Sequence, residues 1–231
     1  MSVPSPESVR GIVLDLDGTI VANMPLHAQA FAVFAERHGL PPLTREMRAR
    51  LDGKRNSDIF PILFERALAR DEVRTFSAEK EALSREISRG QLRPLPGLVR
   101  LLDAADRLAI PVAVATSAPA ENVPHTLDQI GLSSRLSRVV RSDEVPRGKP
   151  HPDVFLAAAR VIDRAPSTCL VFEDSPAGIQ AARAADMACA AVTTTFSASD
   201  FASHGATPDI AVADFAEFLE GPGAWLIASP A

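Results

Sequence analysis

Two cysteines in 231 residues, Cys169 and Cys189, are too few for a disulfide framework, and each sits in an apolar stretch where a small buried thiol is the expected occupant. A reducing, cytoplasmic setting is therefore expected. No run approaches the ~18 consecutive apolar residues of a membrane span. The opening MSVPSPESVR lacks the apolar centre of a signal peptide. Basic runs are missing too. Lys and Arg total 24 against 29 Asp and Glu, a net charge of −5 that argues against nonspecific nucleic-acid or membrane-surface partners. Lysine is scarce: Lys54, Lys80 and Lys149 stand against 21 arginines. A bias so strong makes it reasonable to ask whether each surviving lysine answers a need for a compact ammonium.

What is present reads as an ordinary globular chain, 46% apolar and 23% charged. Its length suits one large domain, or a domain with an insertion, and can bury a core without staples. Short apolar runs at 11–14, 110–115, 139–140, 169–172, 188–193 and 210–212 are bounded by polar or turn residues. Such runs read as strands buried on both faces, hence parallel. Helical patterns at 98–108, 121–130, 152–162 and 176–186 alternate with them, which predicts a doubly wound α/β sheet. One segment breaks the alternation. From about 21 to 92 no strand pattern occurs, and helices are expected over 25–38, 57–69 and 78–87. The expected organisation is an α/β core from 1–21 and 92–231 with an all-helical insertion at 22–91.

In open parallel sheets, ligands bind beyond the carboxyl ends of the strands. The residues at those ends carry chemistry. Asp15-Leu16-Asp17-Gly18-Thr19 follows the first run, Thr116-Ser117 the second, and Glu173-Asp174 the fourth, while Gly148-Lys149-Pro150 closes the loop after the third. Each has a bland alternative. A turn explains Thr-Ser, and loading a helix N-terminus explains Glu-Asp. A D-x-D-G-T string, however, arises by chance in roughly one chain of this length in a thousand, and four coincidences on one sheet edge are improbable together. Converging carboxylates repel unless a cation sits among them, and Mg²⁺ prefers oxygen ligands and phosphate. Asp15, the main-chain carbonyl of Asp17, and Asp174 are the expected ligands. Glu173 is a further possible ligand or, if strand alternation holds, stands behind them.

These four elements resemble the four motifs of the haloacid dehalogenase superfamily. Within it NMPLH, TSAPAEN, GKPHPDVF and VFEDSPAGI resemble the β-phosphoglucomutase-like branch of phosphatases and mutases. The resemblance implies a Rossmann-like doubly wound parallel sheet with an inserted helical cap. It implies Asp15 as nucleophile, Asp17 as general acid and base, and Thr116 and Lys149 as holders of the transferring charge, with Mg²⁺ as cofactor. It also implies substrate contacts from His27, Gly53, Lys54, Lys80, Ser117 and Asn122. The chain departs from the mutase pattern. Ala118-Pro119-Ala120-Glu121 has no basic residue, and Asn56 stands where a mutase carries arginine. The expectation is therefore a Mg²⁺-dependent phosphatase of a small phosphorylated metabolite, a sugar phosphate as the resemblance implies, working as a cytoplasmic monomer without nucleic acid or membrane. A mutase and a phosphoacceptor domain that does not turn over are the alternatives.

Overall fold

The short β-branched and Ala-rich runs form six strands in the computed structural model, which describes residues 8–228. They are β1 (Gly11–Leu14), β2 (Val112–Thr116), β3 (Val139–Arg141), β4 (Cys169–Glu173), β5 (Ala188–Val192) and β6 (Ile210–Val212). All pair in parallel in the order β3-β2-β1-β4-β5-β6. Side chains alternate across β1: Ile12 and Leu14 enter one apolar layer, Val13 the other. On the first face pack α5 (Leu98–Arg107), α6 (Asn122–Gln129) and α10 (Phe215–Glu220), through Leu101, Leu127 and Phe218. On the second pack α7 (Asp153–Val161), α8 (Pro176–Ala184) and α9 (Ala198–Ser203), through Phe155, Ile179 and Phe201. Two faces covered by helices explain why the strands are apolar up to their carboxyl ends.

Between β1 and α5 lie four helices: α1 (Met24–Arg37), α2 (Arg45–Leu51), α3 (Asn56–Leu63) and α4 (Arg70–Ser88). They own a separate core built on Phe31, Phe34, Phe60, Leu63 and Leu83, with the Phe34 and Phe60 rings 5.2 Å apart. The segment leaves and rejoins the sheet at one place. Val21 bridges Asp17 on one side and Pro94 on the other, and Leu95 N–H donates to Ile20 O at 2.9 Å.

The helical expectations are met in type but not in every bound. α4 begins eight residues earlier than 78, because Glu72 reaches back to cap the Ala69 N–H at 2.9 Å and its charged first turns hide the helical period. α3 ends at Leu63 rather than 69, where Glu65 turns to φ +51°. α2 was not foreseen; its start is marked by Thr44, whose side chain accepts from Met47 N–H. Trp225 packs back on the first apolar layer. The outer ends of the expected core spans, 1–7 and 229–231, lie outside the described residues.

Candidate active site

β1 sits between β2 and β4, and at this switch point three strand ends open onto one crevice. The Asp15 N–H donates to Phe172 O at 3.0 Å, which carries the β1–β4 pairing one residue past β1 and brings Asp15 beside Glu173. Thr116 ends β2, and Asp174 follows the end of β4. Lys149 enters from the loop after β3, next to a cis peptide bond with Pro150.

Ligand atoms of Asp15, Glu173 and Asp174 lie within 4.8 Å of one another, and all three residues are buried. Lys149, also buried, donates to Asp15 Oδ1 and to Glu173 Oε1, the latter at 2.6 Å. Three carboxylates against one ammonium leave an excess of two negative charges. The titration of the groups reflects that excess. Burial pushes Asp15 up to about 8; Lys149 opposes the rise, and Glu173 adds to it. Burial, then Glu173 and Asp15, push Asp174 well above the usual carboxylate range. Burial works against the Lys149 charge, but Asp15 and Glu173 together hold its ammonium above its ordinary value. A hard dication is the species this donor set and charge deficit fit.

Glu173 is where alternation along the strand misleads. The chain turns into α8 directly after it, so its Oε1 meets Lys149 while Oε2 accepts from the Ser175 N–H at 2.8 Å. Ser175 in turn caps α8, accepting from Gly178 N–H at 3.0 Å. Thr195, just beyond β5, donates to Asp174 Oδ2. The strand-end rule, carried to the fifth strand, would have found it.

Asp17 lies on the same loop as Asp15 and points toward the helical segment. Its Oδ1 accepts from Asn23 Nδ2 at 2.6 Å, and His27 Nε2 stands 3.6 Å away. Lys80 Nζ lies 3.1 Å from His27 Nδ1. An ammonium can only donate, so Nδ1 is the accepting nitrogen of this pair and Nε2 is the one that faces Asp17. Burial alone would raise the Asp17 carboxyl, but His27 and Asn23 outweigh it and hold it below the usual range. The Gly18 N–H donates to Asn23 Oδ1 at 3.0 Å, which ties the loop to the start of α1.

Gly18 is required twice. Its φ is +87°, and a Cβ there would overlap the Asp174 carboxylate. Gly18→Ala should therefore displace one carboxylate of the cluster. A shift near 1 Å at a reacting centre costs about a hundredfold in rate, so turnover by the variant should fall at least that far. Unchanged kinetics would mean that this approach does not matter.

Above the strand ends is a cavity of about 70 Å³. It is bordered by Asp15, Asp17 and Thr116 from below, and by His27, Lys80 and Glu81 from α1 and α4. Gly53, Lys54, Ser117 and Asn122 also line it. The sequence-predicted residues thus gather at one place, with Lys149 and Asp174 buried beneath. Ser117 Oγ donates to Gly53 O at 2.6 Å, and Gly53 stands at φ +84°, where a Cβ would also strike Ser175. Lys80 is buried, and its ammonium is engaged by Glu81 Oε1 at 2.9 Å as well as by His27. Asn23, Asn56 and Glu81 belong to this cavity or its network without having been singled out as site residues. Asn23 lies inside the NMPLH string, whereas Glu81 looks like any acid on a charged helix.

A family model described as haloacid dehalogenase-like hydrolase matches residues 9–186. Among curated relatives, a fructose-1-phosphate phosphatase of Escherichia coli (strain K12) is 33% identical over 181 residues, covering 78% of this chain and 95% of its own. A β-phosphoglucomutase of Bacillus subtilis (strain 168) is 31% identical over 189 residues, covering 78% and 81%. Among solved structures, a HAD hydrolase of family IA, variant 3, from Entamoeba histolytica superposes with a TM-score of 0.82 at 23% identity, over 95% of this chain and 100% of that one.

Proposed function

The chain belongs to the haloacid dehalogenase-like hydrolases and is a phosphatase; from that premise we propose that it hydrolyses a small sugar or polyol phosphate through an aspartyl-phosphate intermediate, with Mg²⁺ at the strand ends. The observation that carries this reading is the convergence of Asp15, Glu173, Asp174 and Lys149 beneath a cavity into which Asp17 also faces.

Asp15 and Asp174, with the main-chain carbonyl of Asp17, would hold the metal. When bound, Mg²⁺ supplies positive charge to the phosphoryl oxygens and keeps the two carboxylates ionised. An Asp15 carboxylate oxygen attacks phosphorus and the ester oxygen leaves; Asp17, ionised at rest, would relay to that oxygen a proton carried in on the substrate's phosphate. Asp17 then takes a proton from water, the hydroxide attacks the same phosphorus, and phosphate departs as the Asp15 carboxylate is restored. His27 and Asn23 orient Asp17 for both transfers. Lys149 and the Thr116 hydroxyl hold charge on the transferring group.

At about 70 Å³ the cavity is far smaller than the ~300–1,000 Å³ of an ordinary ligand pocket. Substrate admission therefore requires the helical cap, taken as residues 22–91, to move off the core, and its return excludes water. The mutase relative keeps a second reading in view. Against it, Ala118-Pro119-Ala120-Glu121 offers no cation for a second phosphate, and Asn56 is spent on Glu81 at 2.9 Å. The acidic net charge supports a small-molecule substrate rather than nucleic acid or membrane; no described helix is long and apolar enough to span a membrane.

Phosphate release from a panel of phosphomonoesters, with Mg²⁺ and again with excess chelator, tests the reading. Sugar or polyol monophosphates should turn over, and chelator should remove at least about 99% of the rate, since the lost cation stabilises developing charge. Undiminished turnover in chelator would overturn the metal assignment.

A further inference from the structure

We infer that Glu81 sets the charge of the substrate: its buried carboxylate, in the cap wall of the cavity, selects a leaving group that bears hydroxyls and rejects one that bears a second anionic group. The inference rests on the phosphatase reading above and adds the substrate class to it.

Glu81 is 5% exposed and lines the cavity. Its Oε1 accepts from Lys80 Nζ and from Asn56 Nδ2, both at 2.9 Å, and its Oε2 accepts from Asn122 Nδ2 at 2.6 Å. A carboxylate offers about four acceptor positions. Three are filled, and one on Oε2 remains for a donor such as a substrate hydroxyl. Burial would favour the neutral acid, yet Lys80, His27 and Asn56 prevail and keep Glu81 below its ordinary value, so the group is an anion at neutral pH.

The two cations nearest to Glu81 and its amide partner, Lys80 and Arg85, are already engaged. Lys80 already faces Glu81, His27 Nδ1 at 3.1 Å and the Phe31 ring at 4.4 Å. Arg85 Nη1 donates to Asn122 Oδ1 at 2.7 Å, which fixes that amide with its N–H toward Glu81 and away from an incoming anion. Lys54, which forms no ion pair among the described residues, lines this cavity and also two outer clefts, which puts it at the rim. A second phosphate or carboxylate under the cap would meet Glu81 at close range in a desolvated space. Like charges so placed cost affinity far more than an exposed pair would. A hydroxyl at the same place gains a charge-assisted hydrogen bond.

The test compares kcat/KM of the wild type on three esters of one carbon skeleton: a polyol monophosphate, the same polyol with a second phosphate, and the corresponding acid with a terminal carboxylate. The neutral-tailed monophosphate should lead both others by about a hundredfold. Glu81→Gln should narrow that lead to within about tenfold, chiefly by improving the anionic esters, because it removes the repelling charge while keeping the shape. The double variant Lys80→Met with Glu81→Met removes the pair without leaving one charge buried alone, and it should narrow the lead likewise should the single variant fail to fold. A merely structural Glu81 would lower all three esters together and leave their ratio unchanged. That result, or a wild type that handles the bisphosphate within about threefold of the monophosphate, overturns the inference. A wild type that releases phosphate from none of the three, with Mg²⁺ present, overturns the phosphatase reading and this inference with it.

Discussion

Asp15→Asn should abolish phosphate release and leave the fold standing. The amide keeps the shape of the side chain and lacks the attacking oxygen anion. Loss of a covalent nucleophile costs about 10⁴-fold or more in turnover. The fold should tolerate the change because Asp15 is one of three buried carboxylates sharing a single ammonium, and burial already pushes its carboxyl up to about 8. Removing one of those charges relieves repulsion, and Lys149 keeps Glu173 as a partner. Thermal melting without metal should therefore show a variant as stable as the parent. Activity within tenfold of wild type would mean that another carboxylate attacks. A collapse in melting temperature would mean that the Asp15–Lys149 pair is a structural support.

That Asp15 could be named from the chain alone follows from how local its signal is. A four-residue apolar run, an acid directly after it and a Gly directly beyond the second acid fix strand, end and turn within eight residues. Lys149 was legible for a different reason, as one of three lysines in an arginine-rich chain, in a Gly-Lys-Pro turn. Glu173 was only half legible: the strand period is readable, but where the strand stops and the chain turns is set by Ser175 capping α8. Glu81 was not legible at all. It sits in a helix whose sequence, RDEVRTFSAEKEALSREIS, is charged on several faces, and only the packing of α4 on α1 and α6 decides which charges are buried. For Lys80 the sequence suggested a reach toward substrate, and the structure places its ammonium between His27 and Glu81 at the cavity wall.

Lys149→Met should have the second-largest effect, and on both stability and rate. Lys149 Nζ is enclosed by Asp15, Glu173, the Ala115 carbonyl at 3.3 Å and the Phe155 ring at 5.0 Å. Methionine fills the space without the charge. Breaking a buried ion pair by removing one partner costs about 3–5 kcal/mol, which for a domain of this size corresponds to a fall of roughly 6–20 °C in melting temperature. Turnover should drop by about 10²–10³-fold beyond any loss of folded protein, because a donor to the transferring charge is gone. Lys149→Arg should not restore it, since a planar guanidinium cannot occupy the place of a point charge among three carboxylates. A methionine variant that melts with the wild type would show that Asp15 and Glu173 are neutralised from elsewhere.

The bridge from Val21 to Pro94 has a consequence for how such a chain can diversify. Because the helical segment departs and returns at adjacent backbone positions, it is joined to the sheet by one closed stem, and its other contacts with the core, such as Ser117 Oγ to Gly53 O, come from loops and side chains. Lengthening or replacing the mounted part changes loop-closure entropy only slowly with its length. The segment is thus an exchangeable cassette. On the proposed reading, mutation could rework Asn56, Lys80 and Glu81 one after another, and so shift from one phosphorylated compound to the next, while Asp15, Lys149 and Asp174 are carried by the core.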